Sequence, residues 1–560
     1  MKLKFLFLIC GIFLFRISKS QSYDWVSTIG AGGDDVVQAI ATGTILGVNY
    51  IWITGYNSGN FTCSVGNTIN QGAYVAMYNL SGNCIWAKNI KKSTGVNMTN
   101  SMGMDLALYA NAVAPLEETG GLNVYVTGYY DDKMFVTMFN ASTGAQDLTK
   151  VYYASIDGSG DYPSASGNGI AVNQYGVFVT GYFTNSIRFP ANPAASGTGT
   201  GTVFDKFAGE GKETFVLKLG VSDLSKKFVK VLRTNYNSQG NDIINTDGFS
   251  YVTGTFGSEL LSDGTAGIPA SHSWQTVTTN GYEDIFVAKF NNSTGPSINQ
   301  WIRNGGSSSN YLQSDDEGLG IYKDAADNIY VTGSIEGNAT FGAYSVSIGS
   351  PLDGFVAKYN SSGTSQWASN VGATTNNSGD GIFSDNTYSY AVGNEYYTKI
   401  NNSTGAIETT SGIGELEDGG VRAYDIKSIG SDFYLVGQVG ATENTFMGTP
   451  LSAHYGNWDG FVTRLDITPR LGSENKSNQT WNCYPNPSTG SFYISSTMSI
   501  EENAHHLIRL FNLSGAKVYE NSITGNSTFI QLNKPNAGIY YLQITDDNGT
   551  VSNQTIEILK

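Results

Sequence analysis

The sequence predicts an all-β protein in which one short unit is repeated, followed by a second and smaller domain. A five-residue phrase ending in glycine recurs through most of the chain, 68 of the 560 residues are glycine, and only 14% are charged. Glycine and asparagine tolerate the backbone conformations of tight turns, so this composition favours many short strands joined by turns. No long segment has the i, i+3, i+4, i+7 apolar spacing of an amphipathic helix.

The recurring phrase reads VYVTG at residues 124–128 and IYVTG at residues 329–333. It is rich in β-branched and aromatic residues, so each copy is predicted to be a strand. A second phrase, such as FVAKY at residues 355–359, follows each copy and is predicted to be the next strand. The seven marker glycines of the first phrase are Gly55, Gly128, Gly181, Gly254, Gly333, Gly393 and Gly437.

Two further strands complete each repeat. One precedes the first phrase, and one after the second phrase usually contains a tryptophan, as at Trp86, Trp301 and Trp367. Four strands in each of seven repeats predict a seven-bladed β-propeller. The seventh repeat lacks a tryptophan strand, whereas the stretch that begins at Trp25 is similar to the one at Trp367. We therefore expect the N-terminal strand to complete the last blade, which removes a free sheet edge.

The segment DDEGLGIYKDAADNIYVTGSIEGNATF (315–341) resembles the seven-bladed propeller family known as SBBP repeats. The resemblance covers roughly residues 23–466. It implies the propeller fold, and because the family has no established activity it implies no catalytic residue.

The N-terminus has the organisation of a secretory signal peptide. Lys2 and Lys4 precede an apolar core at Phe5–Phe15, and the small residues Ser18 and Ser20 predict cleavage before Gln21. No later segment approaches the ~20 apolar residues of a membrane span. The predicted organisation is a signal peptide (1–20), the propeller (21–466), a linker (467–480) and a small β-sandwich domain (481–560).

The C-terminal domain carries three motifs in series: YPNPSTG, FNLSGAKVY and GIYYLQI. Together they closely resemble the C-terminal sorting domain (type A) of type IX secretion in Gram-negative bacteria. The resemblance implies recognition by the outer-membrane translocon and release or display at the cell surface. The determinants that it implies are Pro485, Asn486, Pro487, Gly490, Gly515, Lys517, Gly538 and Tyr540. The alternative is that these residues only shape the sandwich.

Charge and composition limit the classes of function. The net charge of −16 argues against a nucleic-acid partner, which would require a basic face. Of the four histidines, only His272 and His454 lie in the propeller, so a zinc site or a Ser-His-Asp triad is hard to assemble. No cofactor is predicted.

Two weaker candidates involve oxygen and sulfur ligands. Oxygen-rich loops at Asp34, Asp35, Asp315 and Asp316 suggest a calcium site, although none matches the EF-hand pattern, and the alternative is that these residues cap turns. Cys63 and Cys84 lie in one repeat and either form a disulfide or are separately buried thiols.

Basic residues recur in the second phrase, with acidic residues a few positions earlier. They suggest either a charged ring or, structurally, stems that cover the blade while the charges pair with aspartate or reach water. The basic residues are Lys218, Lys289, Lys358, Lys399 and Arg464, and the acidic residues are Glu213, Asp284, Asp353 and Asp459.

The preferred hypothesis is a secreted or surface-displayed, non-catalytic binding protein for a glycan or another protein. The long segments at 190–213 and 257–283 are its predicted binding loops. One alternative is a polysaccharide-active enzyme, a glycosidase or lyase, on the propeller scaffold. The other is a passive structural surface protein.

Overall fold

The computed structural model describes residues 22–64, 67–110, 121–156, 165–193, 201–205, 211–234, 236–261, 276–292, 299–308, 316–372, 377–413, 420–430, 432–440, 445–446, 449–450, 457–466, 481–496, 505–512, 517–524, 527–532, 535–546 and 551–559. The predicted signal peptide lies outside these residues. All regular structure in the described residues is β, which confirms the predicted fold class. Clustering of contacts separates Ser22–Asp466 from Ile467–Lys560.

The first unit contains seven antiparallel four-stranded blades. Blades 1 to 3 consist of β2 (Val36–Ile45), β3 (Val48–Asn57), β6 (Gly72–Asn79) and β7 (Cys84–Asn89); β8 (Ser101–Ala110), β9 (Leu122–Tyr130), β10 (Lys133–Asn140) and β11 (Gln146–Ile156); and β12 (Ala165–Asn173), β13 (Gly176–Phe183), β16 (Glu213–Leu219) and β17 (Lys226–Thr234). Blades 4 to 6 consist of β18 (Ser238–Asn245), β19 (Phe249–Leu261), β20 (Thr276–Asn291) and β21 (Asn299–Ser307); β22 (Glu317–Lys323), β23 (Ile329–Ile335), β26 (Asp353–Tyr359) and β27 (Ser365–Val371); and β28 (Gly379–Ser384), β29 (Tyr388–Gly393), β30 (Tyr396–Asn401) and β31 (Ile407–Gly412).

Blade 7 takes its outermost strand from the other end of the unit. Its strands are β32 (Val421–Ile429), β33 (Asp432–Gly440), β36 (Trp458–Asp466) and β1 (Ser22–Ile29). Strand β1 pairs antiparallel with β36, as predicted from the resemblance between the Trp25 and Trp367 strands. The innermost strands contact one another in chain order, and β32 contacts β2, so the blades are arranged around one axis.

Short hairpins connect the second and third strands of several blades: β4 (Phe61–Ser64) with β5 (Asn67–Ile69), β14 (Ile187–Pro190) with β15 (Gly201–Phe204), β24 (Ala339–Phe341) with β25 (Tyr344–Val346), and β34 (Thr445–Phe446) with β35 (Thr449–Pro450). Strand β14 pairs with β11, the outermost strand of the preceding blade, and β24 pairs in the same way with β21. The end of β19 pairs with β17. Blades 2 to 5 are therefore joined by backbone hydrogen bonds at their outer edges.

The marker glycine recurs because another strand presses against it. A Cβ on Gly333 would lie 1.7 Å from the Glu317 carbonyl oxygen, and one on Gly55 would lie 2.1 Å from that of Val36. The other marker glycines meet a carbonyl of the innermost strand in the same way. The contact occurs where a β-bulge interrupts the innermost strand, for example between Gly318 and Gly320.

The threonine before the marker glycine fills space between blades. Thr332 donates from Oγ1 to the Phe355 carbonyl at 2.8 Å, and the same oxygen would lie 2.1 Å from a Cβ on Gly379 of the next blade. In blades 6 and 7 the threonine is replaced by Val392 and Val436, and the facing glycine by Ala423 and Val37.

The recurring lysine and tryptophan together bind the next blade. Lys358 Nζ and Trp367 Nε1 both donate to the Asn402 carbonyl, at 2.7 and 3.0 Å. Gly405 in the same turn has a φ of +74° and lies over the Trp367 ring. Lys358 Nζ also lies 5.3 Å from the centroid of the Tyr330 ring.

The same contact recurs at other blade junctions. Lys289 and Trp301 both donate to the Ser361 carbonyl, and Trp25 donates to the Leu80 carbonyl across the junction of blades 7 and 1. The recurring basic residues therefore have a structural role. Lys218, Lys289 and Lys358 donate to backbone carbonyls and not, as expected, to aspartates. Arg464 does pair with an aspartate, Asp432, at 2.8 Å.

The second unit is a sandwich of two antiparallel sheets. One contains β37 (Trp481–Tyr484), β38 (Ser491–Ser496) and β41 (Ser527–Gln531), and the other contains β40 (Lys517–Thr524), β39 (His505–Asn512), β42 (Gly538–Asp546) and β43 (Val551–Ile558). Phe492 and Ile494 of the first sheet share one buried cluster with Leu510, Leu542 and Ile556 of the second.

Candidate binding face and central channel

We call the side of the propeller on which the innermost strands begin the entrance face. The residue after each marker glycine lies toward this face, within the second strand of its blade or, in blade 6, directly after that strand. Those residues are Tyr56, Tyr129, Tyr182, Thr255, Ser334, Asn394 and Gln438. Tyrosine in three consecutive blades and shorter polar side chains in the other four break the sevenfold repetition.

A cleft of about 440 Å³ opens on the entrance face between blades 7, 1 and 2. Gln438, Tyr56 and Tyr129, one from each blade, line it together with Gln71 and Asn100. Its volume falls within the ~300–1,000 Å³ of small-molecule sites. Both tyrosines line the cleft and are partly exposed, so part of each side chain is accessible to a ligand there.

Polar groups of the cleft are held in place by hydrogen bonds. Gln71 Nε2 donates to the Tyr56 hydroxyl oxygen at 3.2 Å, and Asn100 Nδ2 donates to Asp131 Oδ1 at 3.0 Å. Asp34 lines the cleft and is exposed. The cleft therefore combines aromatic rings with amide, hydroxyl and carboxylate groups.

Tyr182 supports the arrangement from the neighbouring blade. Its ring is buried, and Lys212 Nζ lies 4.2 Å from the ring centroid while donating to Gln239 Oε1 at 2.6 Å. Burial, with a smaller contribution from the neighbouring Tyr129, raises the pKa of Tyr182 to about 12.

The central channel is a separate cavity of about 590 Å³. Three aspartates in its wall, Asp105, Asp242 and Asp425, occupy one equivalent position just after the bulge of the innermost strand. The other four blades carry Ala39, Gly169, Gly320 and Gly381 at this position.

Each channel aspartate binds the next blade. Asp105 Oδ2 accepts the Ile170 N–H at 2.7 Å, and Asp242 Oδ2 accepts the Ile321 N–H at 2.9 Å. The blade whose N–H group donates this hydrogen bond has glycine or alanine at the position equivalent to the aspartate. The small residue leaves room for the carboxylate. At the junction of blades 6 and 7, a Cβ on Gly381 would lie 2.8 Å from the Asp425 Cα. The innermost strands therefore pack closely there as well.

Charge accumulates in the channel. Burial raises the pKa of Asp242 to about 6, and burial together with the charge on Asp242 raises the pKa of Asp105. Lys427 Nζ lies 2.7 Å from Asp425 Oδ1 and partly balances these groups. At the channel mouth, Arg422 donates two hydrogen bonds of 2.8 Å to Asp380.

The predicted calcium ligands have other hydrogen-bonding roles. Asp35 accepts the N–H groups of Ala31 and Ser58, at 2.8 and 2.5 Å, and Asp316 accepts those of Ser307 and Glu336. Asp315 lies outside the described residues, and within them no group of three or more His, Cys, Asp or Glu is placed to hold a metal ion. Asp35 and Asp316 therefore bind backbone N–H groups, and all but the bond from Ala31 come from outside their own turns.

Cys63 and Cys84 form a disulfide with a Cα–Cα distance of 5.4 Å. Cys483 is a free thiol, and burial raises its pKa to about 11. His272 and His454 lie outside the described residues.

The described parts of the two predicted binding loops form strands. Residues 201–204 form β15, and the described ends of 257–283 continue β19 and β20, so both segments contribute hairpins to outer blade edges. Sequence reasoning missed the cleft tyrosines, although the residue after each marker glycine carried the signal.

In the second unit, the proposed sorting determinants shape turns and strand starts. The Asn486 side chain accepts the Glu557 N–H at 2.9 Å, the peptide bonds before Pro485 and Pro487 are cis, and a Cβ on Gly490 would lie 2.8 Å from Pro535. Tyr540 is buried in the core. Lys517 and Gly538 begin β40 and β42, whereas Gly515 lies outside the described residues.

Comparison with known families identifies the second unit. The family described as "Secretion system C-terminal sorting domain" matches residues 482–558. This match confirms the predicted sorting domain and indicates export through type IX secretion to the cell surface or the exterior. Within the described residues, no helix is long and apolar enough to cross a membrane.

Comparison with curated proteins gives no match. Among solved structures, the extracellular domain of a hybrid two component system from B. thetaiotaomicron is 11% identical, with a TM-score of 0.17 and coverage of 96% of this chain and all of that one. Dimeric latent PorU from Porphyromonas gingivalis is 9% identical with a TM-score of 0.13, and the match covers 94% of this chain and 34% of PorU. These superpositions are too poor to carry an argument.

Proposed function

We propose that the chain is an exported SBBP-type propeller that reaches type IX secretion after its signal peptide is removed and then binds a glycan without converting it. The observation that carries this proposal is the entrance-face cleft. Its two tyrosine rings offer apolar faces, and Gln71, Asn100 and Gln438 offer amide donors and acceptors. A sugar ring presents the same combination of an apolar C–H face and a rim of hydroxyl groups.

The position of the cleft also supports binding. Rigid blades fix the side chains that line it, so little conformational freedom remains to be lost when a ligand is bound. Because the tyrosines interrupt an otherwise repeated position, they are not required by the blade pattern itself.

A second function, polysaccharide cleavage, is favoured by one observation. Asp105 and Asp242 both line the channel, the charge on Asp242 raises the pKa of Asp105, and glycosidases use pairs of carboxyl groups. However, both Asp242 oxygens accept backbone N–H groups, from Ile243 and Ile321, which is the role expected of a blade-joining residue. We therefore favour binding.

One experiment separates these functions. The purified chain is run through native gels that contain individual polysaccharides, and the same mixtures are assayed for new reducing ends and unsaturated products. Retardation without product supports glycan binding, whereas product that disappears in Asp242→Asn supports the enzyme. Neither retardation nor product in a broad panel contradicts both and leaves a passive structural role.

A further inference from the structure

We infer that the glycan is a neutral polysaccharide, seated in the entrance-face cleft over Tyr56 and Tyr129, and that acidic polysaccharides are excluded. This inference rests on the proposed glycan binding and names the class of ligand.

The first step concerns the two tyrosine rings, which we call the platforms because a sugar ring can stack on each. Tyr56 and Tyr129 occupy equivalent positions in adjacent blades and line the same cleft. A single tyrosine contacts only one sugar unit, whereas two rings held by consecutive blades suit successive units of a chain. The cleft is open to solvent at the entrance face, so a polymer can continue past it.

The second step concerns the rigidity of the platform at Tyr129. Tyr182 lies behind it in blade 3, buried and covered by Lys212. On the other side of the cleft, Tyr56 is fixed by the hydrogen bond from Gln71. Such support holds an aromatic ring in one orientation, which a stacking surface requires.

The third step concerns charge. The charged residues that line the cleft are Asp34 and Asp35, and Asp131 lies beside Asn100 at its edge. Both Asp35 oxygens are used by backbone N–H groups, so the exposed Asp34 carboxylate faces a ligand most directly. A sulfate or uronate group placed here would meet like charge, and the net charge of −16 adds to the repulsion.

The test uses matched pairs of polymers and the full chain. Laminarin, galactomannan, xyloglucan and dextran are each compared with a sulfated or carboxymethylated derivative of the same backbone in affinity gels. We expect retardation by at least one neutral polymer and at least about tenfold weaker binding of its charged derivative, because a repulsion of ~1.4 kcal/mol from the cleft carboxylates corresponds to tenfold.

Variants locate the site. Tyr129→Ala should weaken binding by more than about threefold, since an aromatic contact of ~0.5–1.5 kcal/mol corresponds to about 2- to 12-fold and the lost buried area adds to it. Tyr129→Phe keeps the ring and should stay within about threefold of the parent. The matched control is Tyr175→Ala, because Tyr175 is 49% exposed in the turn between β12 and β13 on the opposite face. Asp34→Lys should reduce the discrimination against sulfated polymers.

The outcomes distinguish the two proposals. Binding of only acidic polymers, or binding that Tyr129→Ala leaves unchanged while Tyr129→Phe also binds normally, overturns the inference but leaves glycan binding in place. No retardation by any polymer overturns glycan binding itself. Circular dichroism of each variant shows whether a loss of binding reflects unfolding. If Tyr129→Ala does not fold, Tyr56→Ala makes the same test at the other ring of the cleft, and unchanged binding by that variant overturns the inference.

Discussion

Replacement of Asp284 by asparagine should remove a large part of the pH dependence of propeller stability. Asp284 is fully buried within β20, the third strand of blade 4, where its Oδ2 accepts the Asn280 N–H at 2.6 Å. Oδ1 has no hydrogen-bond partner among the described residues. The buried Asp316 lies close to Asp284 at the junction of blades 4 and 5. A Cβ on Gly306 would be 2.6 Å from Asp284 Oδ1 and 2.9 Å from Asp316 Oδ2, so the two carboxylates are near each other.

The magnitude follows from the pKa. Burial, with a contribution from Asp316, raises the pKa of Asp284 from 3.8 to about 7. A carboxyl group whose pKa is higher in the folded state binds more protons there than in the unfolded chain, so its contribution to stability is full below pH 4 and is lost as the pH rises through 7. Because a tenfold change in proton affinity corresponds to ~1.4 kcal/mol, the loss is at most about 4 kcal/mol.

The assay is chemical denaturation of the full chain, followed by tryptophan fluorescence, at intervals from pH 4 to pH 8. The free energy of unfolding of the parent should fall relative to that of Asp284→Asn as the pH rises, by up to about 4 kcal/mol. Asp247→Asn, at an exposed position in the β18–β19 turn of the same blade, is the control and should follow the parent. Parallel profiles of the parent and Asp284→Asn would refute the reasoning.

Three other predictions concern contacts that join or brace the blades. Gly333→Ala should lower the free energy of unfolding by at least about 2 kcal/mol because its Cβ has no room, whereas Gly248→Ala, with open space around it, should cost under about 1 kcal/mol; urea denaturation measures both. Lys358→Met and Trp367→Phe should each lower the free energy of unfolding by about 1 kcal/mol in the same assay. Because both donors bind one carbonyl, the effect of the double variant should differ from the sum by at least ~0.5 kcal/mol. Strict additivity would contradict a shared acceptor. Cys63→Ser should destabilise the chain by about 2–4 kcal/mol in thermal or urea unfolding, and a reducing agent should then have no additional effect on the variant.

The repeats show how far the sequence could lead. Alternation of two strand phrases predicted the blades, and the displaced Trp25 strand predicted which strand completes blade 7. The role of the recurring lysines was predicted only in part. From the sequence, a lysine was expected to pair with an aspartate or to reach water. In the structure, Lys358 instead shares the Asn402 carbonyl with Trp367, and that carbonyl lies in a turn of another repeat.

The candidate site was less accessible to sequence reasoning. Long segments between strands were expected to form binding loops, yet their described parts form strands: residues 201–204 pair with β14, and the end of β19 pairs with β17, the outermost strand of blade 3. The cleft instead forms where Gln438, Tyr56 and Tyr129 meet, and Gln438 is far from the others along the chain.

By itself, the sequence determined the local structure of this protein: strand periodicity, turns, the seven repeats, and the sorting motifs at its end all follow from the order of neighbouring residues. Tertiary structure alone decided which blades exchange hydrogen bonds through Asp105, Asp242 and Asp425, and which side chains share the cleft. The physical reason is that ring closure brings together residues that are distant in the chain, and the packing between blades then determines whether a buried carboxyl group, a ring or an amide finds a partner there.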